Sequence, residues 1–190
     1  MPNMGRWVPD ARGRLERAAL ELYAEHGYER TTVAEIAARA GLTERTFFRH
    51  FADKREVLFG GAEPLRDLIV RTAAEAPASA APITVAAAAV EAVGVVLGER
   101  RTAARQRQAV IDAHPELRER ELIKLAALGD ALAGALRDRG VPDLAAALAA
   151  EAGLAAFKVA ADRWIHGPDG EPLAAGIREA FAELKTITAG

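Results

Sequence analysis

The sequence predicts an all-α protein, a three-helix N-terminal domain followed by a helical bundle, and three observations carry that expectation. Residues 31 to 51, TTVAEIAARAGLTERTFFRHF, read as two short one-sided helices joined by a glycine turn. Beyond Pro82 the chain runs in long stretches whose apolar spacing of three and four is helical, separated by prolines and glycines. The Val/Ile/Tyr alternation that marks strands is scarce throughout, so strands are hard to place. With 51% apolar content, 190 residues can bury a core of ordinary size, and the length allows one domain or two small ones.

Residues 1 to 9, MPNMGRWVP, hold two prolines and no apolar run, so they are neither a signal peptide nor a helix, and a disordered basic arm is expected. Arg6 and Trp7 could dip into a minor groove as arms do elsewhere; the alternative is an unstructured tail. The first helix is drawn from Asp10 to His26, with Leu15, Ala18, Ala19, Leu22, Tyr23 and His26 on one face and Gly27 as its stop.

Thr32 with Glu35 three residues on fits a capping box, and Val33, Ile36, Ala37 and Ala40 fall on one face of the helix it opens. Gly41 supplies the left-handed backbone that stops it, and Leu42 plugs the turn. Thr43 caps a second helix whose Phe47 and Phe51 stand one turn apart and face inward. The outer face of that helix carries Glu44, Arg45, Thr46, Phe48, Arg49 and His50, groups that reach bases and phosphates in the major groove. The alternative is a hairpin that only packs.

Residues 12 to 60 resemble the DNA-binding domain of the tetracycline-repressor (TetR) family of bacterial regulators. Leu15 to Gly27 resembles the family's first helix with its His/Lys-Gly end, Thr31 to Thr43 its "TT/TS…IA..AGVS", and Thr46 to Leu58 its "TLYYHF..KEEL". The resemblance implies DNA contacts from Thr32, Arg45, Thr46, Phe48, His50 and Lys54, with Lys54 on a phosphate. Thr43 and Arg49 complete the expected DNA-binding set. Phe48 stands where the family usually has tyrosine, which removes a hydroxyl to phosphate, and Arg45 stands where many members have glycine or proline.

Asp53, with Glu56 three residues on, is expected to cap a fourth helix running through Val57, Leu58, Leu65, Leu68 and Ile69. Pro64 should kink or interrupt it, making Phe59 to Glu63 a hinge. Five further helices are drawn over Ile83 to Leu97, Arg101 to Asp112, Pro115 to Arg139, Pro142 to His166 and Pro172 to Ile187, and no repeat links them. The stretch from Ala76 to Leu97 is mostly alanine and interrupted by Pro77 and Pro82, too weakly apolar to span a membrane.

Leu144, Ala145, Leu148, Ala152 and Ala155 line one side of the first of the last two helices, and Leu173, Ile177, Phe181 and Leu184 one side of the second. Pairing with symmetry mates would give a four-helix interface; the alternative is that they close the monomer's own core. The TetR resemblance implies the homodimer. A ligand pocket is expected inside the bundle, with Arg105, Gln108 and Asp112 sharing one face and Phe157, Arg163 and Trp164 late in the chain, although each set also reads as surface. The run RQRQAVIDAHPELRERELIKLAALGDAL resembles a branch of the family that binds acyl-CoA-like ligands and is related to regulators of mycofactocin genes.

Charge adds little. The net charge of −2 does not suggest nucleic acid, and residues 1 to 60 hold ten Lys/Arg against nine Asp/Glu. DNA binding must therefore rest on a local patch of Arg45, Arg49, Lys54 and Arg55 beside Arg6, Arg12 and Arg14. Enzymatic readings find little support. The four histidines, 26, 50, 114 and 166, have no metal-site spacing, no Gly-rich phosphate loop follows a strand, and the single serine, Ser79, lies in a Pro-Ala stretch. No metal or cofactor is expected, and the absence of cysteine agrees with a cytoplasmic location.

These readings converge on a ligand-released repressor that binds an inverted-repeat operator in double-stranded DNA as a homodimer. Residues 1 to 9 form the arm, 10 to 58 the helix-turn-helix domain, and 59 to 190 the ligand and dimer domain. The effector is acyl-CoA-like or aromatic. The rival is an all-α small-molecule-binding protein or enzyme in which the helix-turn-helix only packs.

Overall fold

A computed structural model describes residues 10 to 189, so the expectation for the arm lies outside the described residues. The chain divides into two compact units, Met1–Gly60 and Gly61–Gly190. No strand occurs among the described residues.

The first unit holds α1 (Ala11–His26), α2 (Val33–Arg39), α3 (Glu44–His50) and a 3-10 turn, Glu56–Phe59. Asp10 caps α1 by accepting from the Gly13 N–H at 2.8 Å. The capping box of α2 is formed: Thr32 Oγ1 accepts from the Glu35 N–H, and the Glu35 carboxylate accepts from the Thr32 N–H at 2.8 Å. Gly41, at φ 65°, closes α2 with Gly41 N–H donating to Ala38 and Leu42 N–H to Ala37, the paired bonds of a Schellman ending. Leu15, Ala19, Leu22, Ile36, Phe47 and Phe51 meet in the core of this unit, and each large side chain contributes roughly 1.5–3 kcal/mol by leaving water. His26, drawn on the inward face of α1, is exposed.

Asp53 does cap, accepting from the Glu56 N–H at 2.9 Å, but what it opens is the 3-10 turn and not the fourth helix. That helix, α4, spans Ala62–Glu75. Pro64 is therefore its third residue, where a missing N–H costs nothing, so the expected kink at Pro64 is corrected to a break before it, at Gly60 and Gly61.

The second unit continues with α5 (Pro82–Gly98), α6 (Arg101–Ala113), α7 (Pro115–Asp138), α8 (Asp143–His166) and α9 (Leu173–Thr188). Proline stands at or just before the first residue of α5, α7, α8 and α9, preset for a helix start. α5 packs against α4, α8 and α9, while α7 packs against α4 and α8. α6 is peripheral, with Ile111 as its one buried side chain. A Cβ on Gly94 of α5 would lie 2.5 Å from Ile177 Cδ1 and 3.2 Å from the Ala174 Cα, so glycine lets α5 and α9 approach. α8 has the length and mean hydropathy, 1.6, of a membrane span, yet one of its faces, Ala146, Ala150, Gly153 and Leu154, is buried in this unit.

Candidate nucleic-acid interface

The surface that α3 offers follows from which of its residues the core takes. Phe47 is fully buried and its ring centroid lies 5.5 Å from that of Phe51. With 3.6 residues per turn, the opposite arc must carry Arg45, Thr46, Phe48 and Arg49. Arg45, Phe48 and Arg49 are exposed and Thr46 is half-buried. Neither arginine has an ion-pair partner among the described residues. Thr43 fixes the start of the helix by accepting from the Thr46 N–H at 3.2 Å, and the two hydroxyls stand 3.1 Å apart. His50 lies toward the core side, and its buried Nε2 has no hydrogen-bond partner.

α1 and α2 are joined by an ion pair as well as by apolar packing. Arg39 of α2 donates to Glu25 of α1 at 2.7 Å, and those bonds hold the Glu25 carboxyl below its ordinary range. Glu35, accepting from Thr32, is lowered too. Tyr23 donates its hydroxyl to the Lys54 carbonyl at 2.8 Å, and burial pushes its phenol well above the usual value.

Lys54 is placed differently from the phosphate contact that the TetR resemblance implies. Its ammonium donates to the carbonyls of Tyr28, Glu29 and Thr31 at 2.9, 3.1 and 3.2 Å, and it lies 4.4 Å from the centre of the Tyr28 ring. All three donors are spent on the α1–α2 turn. Arg12 and Arg14 are likewise braces, bound to the Gly60 and Ala40 carbonyls, and Arg55 pairs with Asp53 at 3.2 Å. Among the described residues the expected basic patch contracts to Arg45 and Arg49, and Arg6 lies outside them. Lone cations give no sequence signal that separates a brace from a reader, because the distinction depends on which carbonyls fold back within reach.

In the second unit the residues expected to bind a ligand are not gathered round one cavity. Arg105 donates to the Ile165 carbonyl at 2.7 Å and pairs with Asp169 at 3.0 Å, which ties α6 to the turn after α8. Gln108 binds Asp112 at 2.9 Å and Glu121 at 3.2 Å. Phe157 packs against the core, and Trp164 lines a cleft of about 510 Å³ together with Arg101, Ala160, Arg163 and Gly176. Arg139, just past the end of α7, caps α4 through the Ala73 and Ala76 carbonyls, both at 2.9 Å.

The expected dimer residues also separate. Ile177 and Phe181, 0% and 5% exposed, are buried within their own unit, and Leu184 packs against the same core. This corrects their assignment to the dimer interface in favour of the alternative, that they close the monomer's own core. On α8, by contrast, Leu144 and Leu148 are 73% and 62% exposed, Ala155 is exposed and Ala152 half-buried. Val159 extends this stripe.

A helix-turn-helix braced on a third helix and followed by a six-helix bundle defines a class of DNA-binding regulators. The family model of bacterial regulatory proteins of the TetR type matches residues 16–59, and that of the MftR C-terminal domain matches residues 80–189. The chain belongs to the TetR family, a family of transcriptional regulators and not of enzymes. TcmR of Streptomyces glaucescens, an HTH-type transcriptional regulator, is 39% identical over 82 residues, 43% of this chain and 36% of TcmR. The match thus spans about a third of the curated relative's length. Among solved structures, FadR of Thermus thermophilus in complex with lauroyl-CoA is 24% identical with a TM-score of 0.55, covering 91% of this chain and 92% of that one. FadR of Bacillus subtilis with stearoyl-CoA is 21% identical with a TM-score of 0.62, covering 90% and 96%. SmeT of Stenotrophomonas maltophilia with triclosan is 22% identical with a TM-score of 0.62, covering 91% and 90%. At such identities these three share the fold.

Proposed function

We propose that the protein is a homodimeric repressor in the cytoplasm that binds an inverted-repeat operator and is released by a small molecule. The observation that carries this is the outer arc of α3, where Arg45, Thr46, Phe48 and Arg49 face out from a rigid Phe47–Phe51 core with both guanidiniums unpaired. Arg45 forks onto a base edge, and Arg49, Thr43 and Thr32 fix the backbone register, with His50 beside them. The exposed α8 stripe pairs with its symmetry mate and sets the two reading helices about 34 to 36 Å apart, or a multiple of that.

The effector is a small molecule with an apolar portion, bound by the second unit. An acyl-CoA-like compound is the first candidate, supported by the MftR-type C-terminal domain and by the shared fold of the acyl-CoA-bound FadR structures. An aromatic compound is the second, supported by triclosan-bound SmeT. A ligand that binds one arrangement of the dimer better shifts the population toward it, and a typical coupling of about 1 to 3 kcal/mol lowers operator affinity roughly 5- to 150-fold.

Selection of duplexes from a random library by the full chain tests the reading. It should enrich an inverted repeat, and adding lauroyl-CoA or triclosan to the bound duplex then ranks the two effector classes. A library that stays random after repeated rounds would refute the regulator reading.

A further inference from the structure

We propose that Phe48 reads the C5-methyl group of one thymine in each half-site, a contact that selects sequence without charge. This rests on α3 being the reading helix. Phe48 is the one aromatic ring on the outer arc, 55% exposed. It is not a loose surface side chain. Its ring meets Phe47 edge to face, centroids 5.4 Å apart at 82°, and Phe47 is itself fully buried, so the aim of the exposed half is set from below.

What such a ring can read is narrow. A phenyl group neither donates nor accepts a hydrogen bond, so phosphate oxygens and the polar base edges offer it nothing. The major groove holds one apolar landmark, the thymine methyl. Arg45 lies one turn before Phe48 and Arg49 follows it, both exposed and unpaired, so the ring sits in a cationic frame that brings it against DNA. That frame argues against an apolar protein partner, because seating the ring in one would strip water from two guanidiniums.

The test uses the full chain and the duplex it selects. Each thymine is replaced singly by uracil, which deletes the methyl and keeps every hydrogen-bonding group. One thymine per half-site should lose affinity about fourfold, the factor expected for one buried methyl. Phe48→Ala should bind the thymine and uracil duplexes alike, with a melting temperature lowered only by the lost ring contact to Phe47 and an unchanged dependence on salt, while Phe48→Leu should keep most of the discrimination. 5-Methylcytosine in place of cytosine at the same position, paired with guanine, should recover affinity for the wild type and not for Phe48→Ala. The proposal is overturned if no uracil substitution weakens the wild type, or if Phe48→Ala weakens thymine and uracil duplexes by one common factor and so keeps the uracil penalty, which would place the ring on the sugar-phosphate backbone. A selection that enriched no sequence would remove the regulator reading, and this inference with it.

Discussion

Lys54 and Arg45 are both cations beside the reading helix, and their surroundings give them opposite work. Lys54 closes three carbonyls of the α1–α2 turn, so Lys54→Met should leave those acceptors unmet and cost about 1–3 kcal/mol. A thermal or urea melt of the variant checks this, and a melt identical to the wild type would return Lys54 to the phosphate role. Arg45 touches no carboxylate among the described residues, and Arg45→Ala should leave the melt alone and relax base preference at one operator position by about 1–3 kcal/mol. Acid should act through the carboxylates that support the helices. Glu35 and Glu25 have folded-state values below the ordinary one near 4.3, so their stabilising share is whole above that value and fades as pH falls through the folded values. Glu35→Gln should therefore show a shallower loss of stability between about pH 5 and 3 in acid titration followed by circular dichroism. An unchanged profile would mean the capping box contributes nothing to acid stability.

The helices of the turn motif were legible because each signal is local. Thr32 with Glu35, Gly41 with Leu42, and Thr43 with Thr46 are cap and stop pairs within a few residues, and the structure forms every one. Asp53 was legible as a cap, yet the length of what it opens was not, since Gly60 and Gly61 decide that after the fact. Faces were harder. α8 carries apolar residues on more than one side, so periodicity could not say that Ala146, Ala150 and Leu154 go inward while Leu144 and Leu148 stay out. In α9 the apolar side is the inner one, and the interface assignment of Ile177 and Phe181 failed for that reason. Of the candidate ligand residues, Arg105 was the least legible, because arginine reaches several carbonyls at once and here holds the turn after α8. Close helix packing gives its own prediction: Gly94→Leu must push α5 from Ala174 and Ile177, costing about 1–3 kcal/mol in a melt, and a wild-type melting temperature would show that α9 yields freely.

For the whole molecule, symmetry and charge are the two claims that matter. Leu148→Arg places a charge on the exposed α8 stripe and should yield folded monomers by light scattering, whereas Phe181→Arg buries a charge and should unfold the second unit. A Leu148→Arg protein that remained a dimer would move the interface elsewhere. The central claim, that α3 presents an electrostatic reading face to duplex DNA although the chain's net charge is −2, is tested most directly by salt titration of binding to random duplex. The wild type should bind at low salt and lose affinity log-linearly as salt rises, and the Arg45→Ala/Arg49→Ala variant should show a flatter slope at an unchanged melting temperature. No binding at low salt, or a double variant whose slope matches the wild type, would contradict it.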